Sequence, residues 1–407
     1  MSETGTESLG AGPRPFRRRV FYIPGYDPFH PRRYRELYRT EAAAQARISG
    51  YDLGLTPKTT AGPYGWHVTA RIGGAQVVAD VEVLVWADLV KSSMTRGIWG
   101  TYGQMLRTAW IYIGSGALFS LMRLRKGPMI AALYPVVFLL GQLVLALLAG
   151  WGLGRLVGQV HWALGVAAGA AMVWALLDLF RRWDNKVFAY YLMHDYAYSA
   201  QFGGANPPEL EARMAVFRDQ IRAALGAGHD EVLVVGHSSG AHLTVSILAD
   251  LIRGGVPDAV PLGFLSLGQV VPMVSFLPRA YRLRADLAYL SARPEVTWVD
   301  VTAPGDGCAF ALCDPVAVSG VAPPGKLWPL VFSAAFTQTL SPERWKQLRW
   351  KFFRLHFQYL CAFDRPGDYD YFQITAGPLT LSQRYAGRPQ SKSRIDVPAS
   401  KYTSMAA

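Results

Sequence analysis

The chain has 407 residues, of which 51% are apolar and 17% charged, with a mean hydropathy of +0.14. This excludes a mainly disordered polymer and is oily for a purely soluble protein. A balance of 41 Lys and Arg against 29 Asp and Glu gives a charge of +12, suited to nucleic acid or to an anionic membrane face. Cys308, Cys313 and Cys361 are too few, and too odd in number, for a disulfide framework; the lack of a CxxC pair argues against structural zinc.

Residues 1–15 are rich in Gly, Ser, Thr and Glu, read as a disordered N-terminus, and contain no apolar run of the secretory kind. A first part of an α/β domain spans 16–125. Within it, 19–23 is a short strand ending at Pro24-Gly25, and 31–46 is a helix. Residues 66–72 and 77–86 alternate as strands, the second apolar enough to be central. The half-oily stretch 103–124, with Trp110, Tyr112, Leu118, Phe119 and Met122 among Gly and Ser, fits an interfacial helix better than a span.

A transmembrane helical hairpin is expected over 126–183. No charge occurs from 129 to 154 or from 157 to 177, and each stretch reaches the roughly 20 residues that cross a bilayer. Arg123, Arg125 and Lys126 precede the pair and Arg181, Arg182 and Lys186 follow it, with Arg155 nearly alone between them. Both termini and the main domain are therefore expected on the cytoplasmic side, in an inner or plasma membrane. Small residues four apart at Ala146, Gly150, Gly154 and Gly158, and at Gly165 and Gly169, form seams through which the hairpin can pack on itself. Beside such segments the basic surplus reads as attraction to lipid. No RRM, zinc-finger or helix-turn-helix signature supports a nucleic-acid partner.

The second part of the domain spans 184–383. Residues 190–200 are aromatic and undecided. A helix starts at Asn206-Pro207-Pro208, with the stripe Leu210, Met214, Phe217, Ile221 and Leu225. Strands are expected at 231–235, 262–267 and 296–302, and helices at 242–253, 280–292 and 342–355. This alternation predicts an α/β fold, a mostly parallel sheet with helices on both faces, which the hairpin interrupts without dividing. The tail 384–407 is basic and polar and is expected to be flexible.

The sharpest local signal is Gly236-His237-Ser238-Ser239-Gly240, directly after the strand at 231–235 and opening a helix near Ala241. The flanking glycines, Gly236 and Gly240, let the chain turn tightly and lift the Ser238 hydroxyl above the sheet edge, with a helix N-terminus behind it. In this setting the chain resembles the α/β-hydrolase superfamily, the likeness covering roughly residues 19–87 and 190–380.

The resemblance implies a nucleophile, an acid and a histidine in that chain order. Ser238 is the nucleophile, Asp306 just beyond the strand at 296–302 is the acid, and His356 is the only histidine downstream. Asp300 and Asp314 are the alternative acids. It also implies an oxyanion hole from the N–H groups of Ser239 and Tyr26, although Pro24-Gly25 stands where many members carry His-Gly. His237 and His242 read as packing residues and Cys308 as a buried thiol. The run Trp345, Trp350, Phe352, Phe353 and Phe357 reads as mostly core with some acyl-pocket lining.

The expectation is a membrane-anchored serine hydrolase acting on a small hydrophobic, lipid-like ester through an acyl-enzyme, with no metal or cofactor. A thioesterase or amidase would use the same groups. The rival is a catalytically inactive hydrolase-like membrane scaffold or partner-binding protein.

Overall fold

β1 (Phe16–Ile23) shows why the core has two sides: Val20 and Tyr22 face one layer, Phe21 and Ile23 the other, and all four are buried. The computed structural model describes residues 14–95, 97–257 and 260–407, so the expected disordered N-terminus lies almost wholly outside the described residues. Around β1 lie β2 (Asp52–Pro57), β3 (Gly65–Ile72), β4 (Ala75–Val83), β5 (Glu231–His237), β6 (Leu262–Leu267), β7 (Val296–Thr302) and β8 (Leu330–Ser333). They form one eight-stranded sheet in the order β2-β3-β4-β1-β5-β6-β7-β8. β3 runs antiparallel to both neighbours, and every other pair is parallel.

The expected α/β sheet is present and mostly parallel. Two strands escape the sequence pattern, and both are edges. β2 carries Gly54 and Pro57 and is largely exposed, and β8 has only four residues. The strand at β4 lies third from one edge, and its last three residues are buried as a strand covered on both faces requires.

Helices cover both faces. Arg32–Ser49 and Tyr371–Ala376 pack with Val20, Tyr22 and Trp66 on one side. Pro208–Leu225, Gly240–Arg253 and Tyr281–Ser291 pack with Phe21, Val234, Phe264 and Trp298 on the other. The stripe Leu210, Met214, Phe217, Ile221 and Leu225 is buried as its spacing predicts. The single helix expected over 342–355 is two, Pro342–Leu348 and Phe352–His356, because the chain turns at 349–351.

β1 and β5 are joined by more than ladder bonds. Arg18 pairs in register with Glu231, and its Nε donates to Glu231 Oε2 at 2.6 Å in a fully buried position. Its Nη1 and Nη2 donate to the carbonyls of Gly377 and Leu379, satisfying the charge that burial would otherwise penalise. A one-residue slip would strand both ions, so this pair pins the register of the two halves.

Between β4 and β5 stand two helices long and apolar enough to cross a membrane, Lys126–Val157 and Trp162–Arg182. They pack on each other through the predicted glycine seam. A Cβ on Gly165 would meet Gly154 O at 2.5 Å, and one on Gly169 would meet Gly150 O at 2.8 Å, so the two backbones touch. At the base of the pair, Ile98–Gly114 and the aromatic helix Ala189–Ala200 pack against it through Tyr102, Met105, Leu139, Leu177 and Met193. Ile98–Gly114 turns Trp99, Leu106, Trp110 and Ile113 outward on one face.

The tail past Arg384 does not hang free. Ile395 bridges Cys313, Ser391 N–H donates to Val331 O, and Arg284 Nε donates to Ser404 O. Its composition is polar, but its backbone groups find partners on the body, which composition cannot foretell.

Candidate functional site

Ser238 sits where β5 ends and Gly240–Arg253 begins, with φ of +58° in the left-handed region. A serine held there costs on the order of 1–3 kcal/mol and persists only when its surroundings over-determine it. Two contacts do so. The Ser238 N–H donates to Leu267 O at 2.9 Å, and Gly25 lies so close that a Cβ there would be 2.9 Å from Ser238 Cβ. Gly236 and Gly240 are needed for close approach, since added Cβ atoms would meet Thr244 Oγ1 at 2.5 Å and Ile23 O at 2.2 Å.

His356 ends its short helix and is buried. Its Nδ1 and Asp306 Oδ2 are 2.7 Å apart, so the carboxylate fixes the tautomer with the proton on Nδ1 and leaves Nε2 as the acceptor. Asp306 follows β7 in a turn closed by its own N–H on Ala303 O. Its carboxylate also accepts from Tyr359 O–H at 3.0 Å and from the Cys308 N–H at 2.9 Å. Tyr359 is a contact the sequence reading missed; its place three residues after His356 was the available signal.

Ser238 and His356 both line one cavity of about 80 Å³. That is several times the space one water needs, and enough for a small acyl or head group. Ser238 Oγ makes no hydrogen bond among the described residues. The other walls are largely aromatic, with Tyr26, Tyr34, Tyr191, Tyr196, Phe353 and Phe357. Pro128, in the first turn of the first apolar helix, closes part of the cavity, so the base of the hairpin is a piece of the site. A Cβ on Gly127 would lie 3.1 Å from Gly307 Cα, one residue past Asp306. A larger groove of about 1180 Å³ adjoins the cavity and shares Asp27, Tyr191, Phe353 and Phe357 with it.

The remaining predicted residues fall into place by their partners. Asp314 caps Pro315–Val318 and pairs with Lys326 at 2.6 Å, so it is committed elsewhere. Asp300 lies inside β7, 2.5 Å from Ser266 Oγ, with its Oδ2 unpartnered. His237 bridges Tyr22 O–H and the His356 carbonyl at 3.2 and 3.0 Å. Burial pushes it down to about 3, so it is a neutral strut under His356. His242 is likewise pushed down to about 4 by burial.

The Tyr26 amide expected in an oxyanion hole already has an acceptor. Its N–H is not free but donates to Ser239 Oγ at 2.9 Å, because the residue after Ser238 carries a hydroxyl within reach. The Ser239 N–H, at the start of Gly240–Arg253, takes no acceptor among the described residues, as the first amides of a helix do not.

Asp306, Cys308 and His356 place donor atoms within 4.8 Å of one another, close enough to invite a metal. Their chemistry is already committed: the carboxylate holds three donors, His356 Nδ1 is one of them, and burial raises the Cys308 thiol well above its ordinary range. A thiol kept protonated is a poor ligand.

Asp300 supplies a pH test of the sheet. Burial pushes its carboxyl up to about 8, far above the unfolded value near ~3.9. The native state thus keeps a proton that the unfolded chain releases, and stability falls as pH rises from about 4 toward 8. Asp300→Asn mimics the protonated acid and removes that slope. Denaturant unfolding should find the variant equal to wild type near pH 4 and more stable by about 2 kcal/mol or more at pH 8. A difference that does not change with pH would refute the assignment.

No protein-family model matches the chain, and no curated protein or solved structure is detectably similar to it.

Proposed function

We propose that the chain is a membrane-anchored serine hydrolase of α/β-hydrolase type that cleaves a hydrophobic ester. One observation carries this reading: a strained serine and an imidazole held by a buried carboxylate face the same cavity. In the proposed reaction His356 Nε2 takes the Ser238 proton as Oγ attacks the acyl carbonyl. The charge on the tetrahedral oxygen is met by the Ser239 N–H and the helix N-terminus behind it. The Tyr26 N–H joins them once the Ser239 hydroxyl turns away. Asp306 stabilises the imidazolium, which gives its proton to the leaving alcohol, and water then releases the acid by the same steps in reverse.

The hydrophobic substrate class follows from the aromatic walls and from Pro128 at the base of the hairpin. With the hairpin in a bilayer, the outward Trp99, Leu106 and Trp110 would lie along the headgroups. The basic flanks Arg123, Arg125, Arg181 and Arg182 would keep the main domain on the cytoplasmic side.

Fluorophosphonate labelling of the full chain in detergent or vesicles tests the proposal. Wild type should label at one site and Ser238→Ala should not. A folded wild-type protein that fails to label would overturn the enzymatic reading in favour of a scaffold.

A further inference from the structure

The cavity holds a charged group that the proposed reaction does not use. Asp195, on the aromatic helix Ala189–Ala200, lines the same cavity as Ser238 and His356. It is half-buried there and makes no hydrogen bond or ion pair among the described residues. The other cavity-lining carboxylate, Asp27, is satisfied by Arg33 and the Tyr34 hydroxyl. A smaller cavity behind Asp195 offers only His242, which burial keeps neutral. His237 is neutral too, and His356 is engaged by Asp306. Among the described residues Asp195 thus has no hydrogen-bonded cation; burial pushes its carboxyl up to about 7, and the His356 imidazole, already bonded to Asp306, offsets this only in part.

The walls beside it complete the pattern. The hydroxyls of Tyr26, Tyr34 and Tyr191 are spent on Ser93, Asp27 and the Tyr26 carbonyl, so these residues offer the cavity their rings. Aromatic rings with one lone carboxylate are the surroundings that favour an alkylated or protonated ammonium. We propose that Asp195 selects substrates that carry an ammonium group beside the ester, seating it among the cavity tyrosines. Such a pair is neutral overall, so the bound ammonium sets no uncompensated positive charge beside the His356 imidazolium. The inference takes its location from the hydrolase reading and deepens it by naming a substrate class, but its test does not need turnover.

The test is titration calorimetry of the full chain in nonionic detergent at pH 8. Choline is compared with its uncharged isostere 3,3-dimethylbutan-1-ol, and dodecyltrimethylammonium with dodecanol. Wild type and Ser238→Ala should both bind the cation at least tenfold more tightly than its isostere, and Asp195→Asn should reduce that ratio to within threefold of unity. Preference with choline points to a free cationic ester, and preference confined to the amphiphile points to a lipid-borne one. Either supports the proposal. Equal binding of cation and isostere by wild type, or a preference that survives Asp195→Asn, overturns it. Fluorophosphonate labelling of the same samples reports separately on Ser238, so a failed hydrolase reading is distinguishable from a failed Asp195.

Discussion

Replacing His356 with alanine should lower turnover of a hydrophobic ester by about ten-thousand-fold or more while leaving the fold intact. The magnitude follows from the role proposed for the ring as the base for Ser238: without it only the amide donors of the proposed site remain. Asp306→Asn should cost about as much, because an amide can present its NH₂ to Nδ1 and impose the wrong tautomer. The two changes together should cost little more than either alone, since they disable one unit. Steady-state kinetics on purified variants, with Ser238→Ala as the floor, provide the measurement. Wild-type turnover by His356→Ala would make the Asp306–His356 contact structural and leave the serine without a base.

Gly240→Ala should destabilise the protein by roughly 3 kcal/mol or more and abolish labelling of Ser238. The added Cβ would stand 2.2 Å from Ile23 O and 2.6 Å from Pro24 O, both backbone atoms with no rotamer to yield. The end of β1 and the first turn of Gly240–Arg253 would have to part by about an ångström, and core packing resists such a shift. Gly226→Ala is the control. It ends Pro208–Leu225 at a negative φ, and its nearest neighbour for a Cβ is Ala223 O at 3.7 Å. Its melting temperature should match wild type, and that of Gly240→Ala should fall by about 4 °C or more. Equal melting of the two variants would refute the close approach.

The buried strands were the most legible part of the sequence. β6 and β7 begin and end at the residues expected: β6 is a short run between Pro261 and Gly268, and β7 is a β-branched and aromatic run between Glu295 and Ala303-Pro304. β2 and β8 were hidden because edge strands need not be apolar or long. Ser238, Asp306 and His356 could be singled out from a motif and a chain order. What surrounds them could not: the Tyr26 amide meets Ser239 only because two distant turns come together, and Tyr359 reaches Asp306 across a helix end. Asp195 lay in an aromatic stretch with no motif, and its isolation is a property of the cavity. The tail misled because polar composition records the absence of a core, and Ile395 needs only a backbone partner to be held.

The partnership of Arg18 with Glu231 spans 213 residues, and it dictates an order of events during synthesis. When β1 leaves the ribosome, one flank of it has no neighbour, and β5 emerges only after both apolar helices have been made. An open flank of that kind invites wrong pairing until it is filled. Embedding the two helices in lipid before β5 arrives would tether the early half and draw its missing strand back to the same side. If the two helices enter lipid as proposed, the chain docks first and finishes its sheet second, so the Ser238 turn would be completed only at the bilayer.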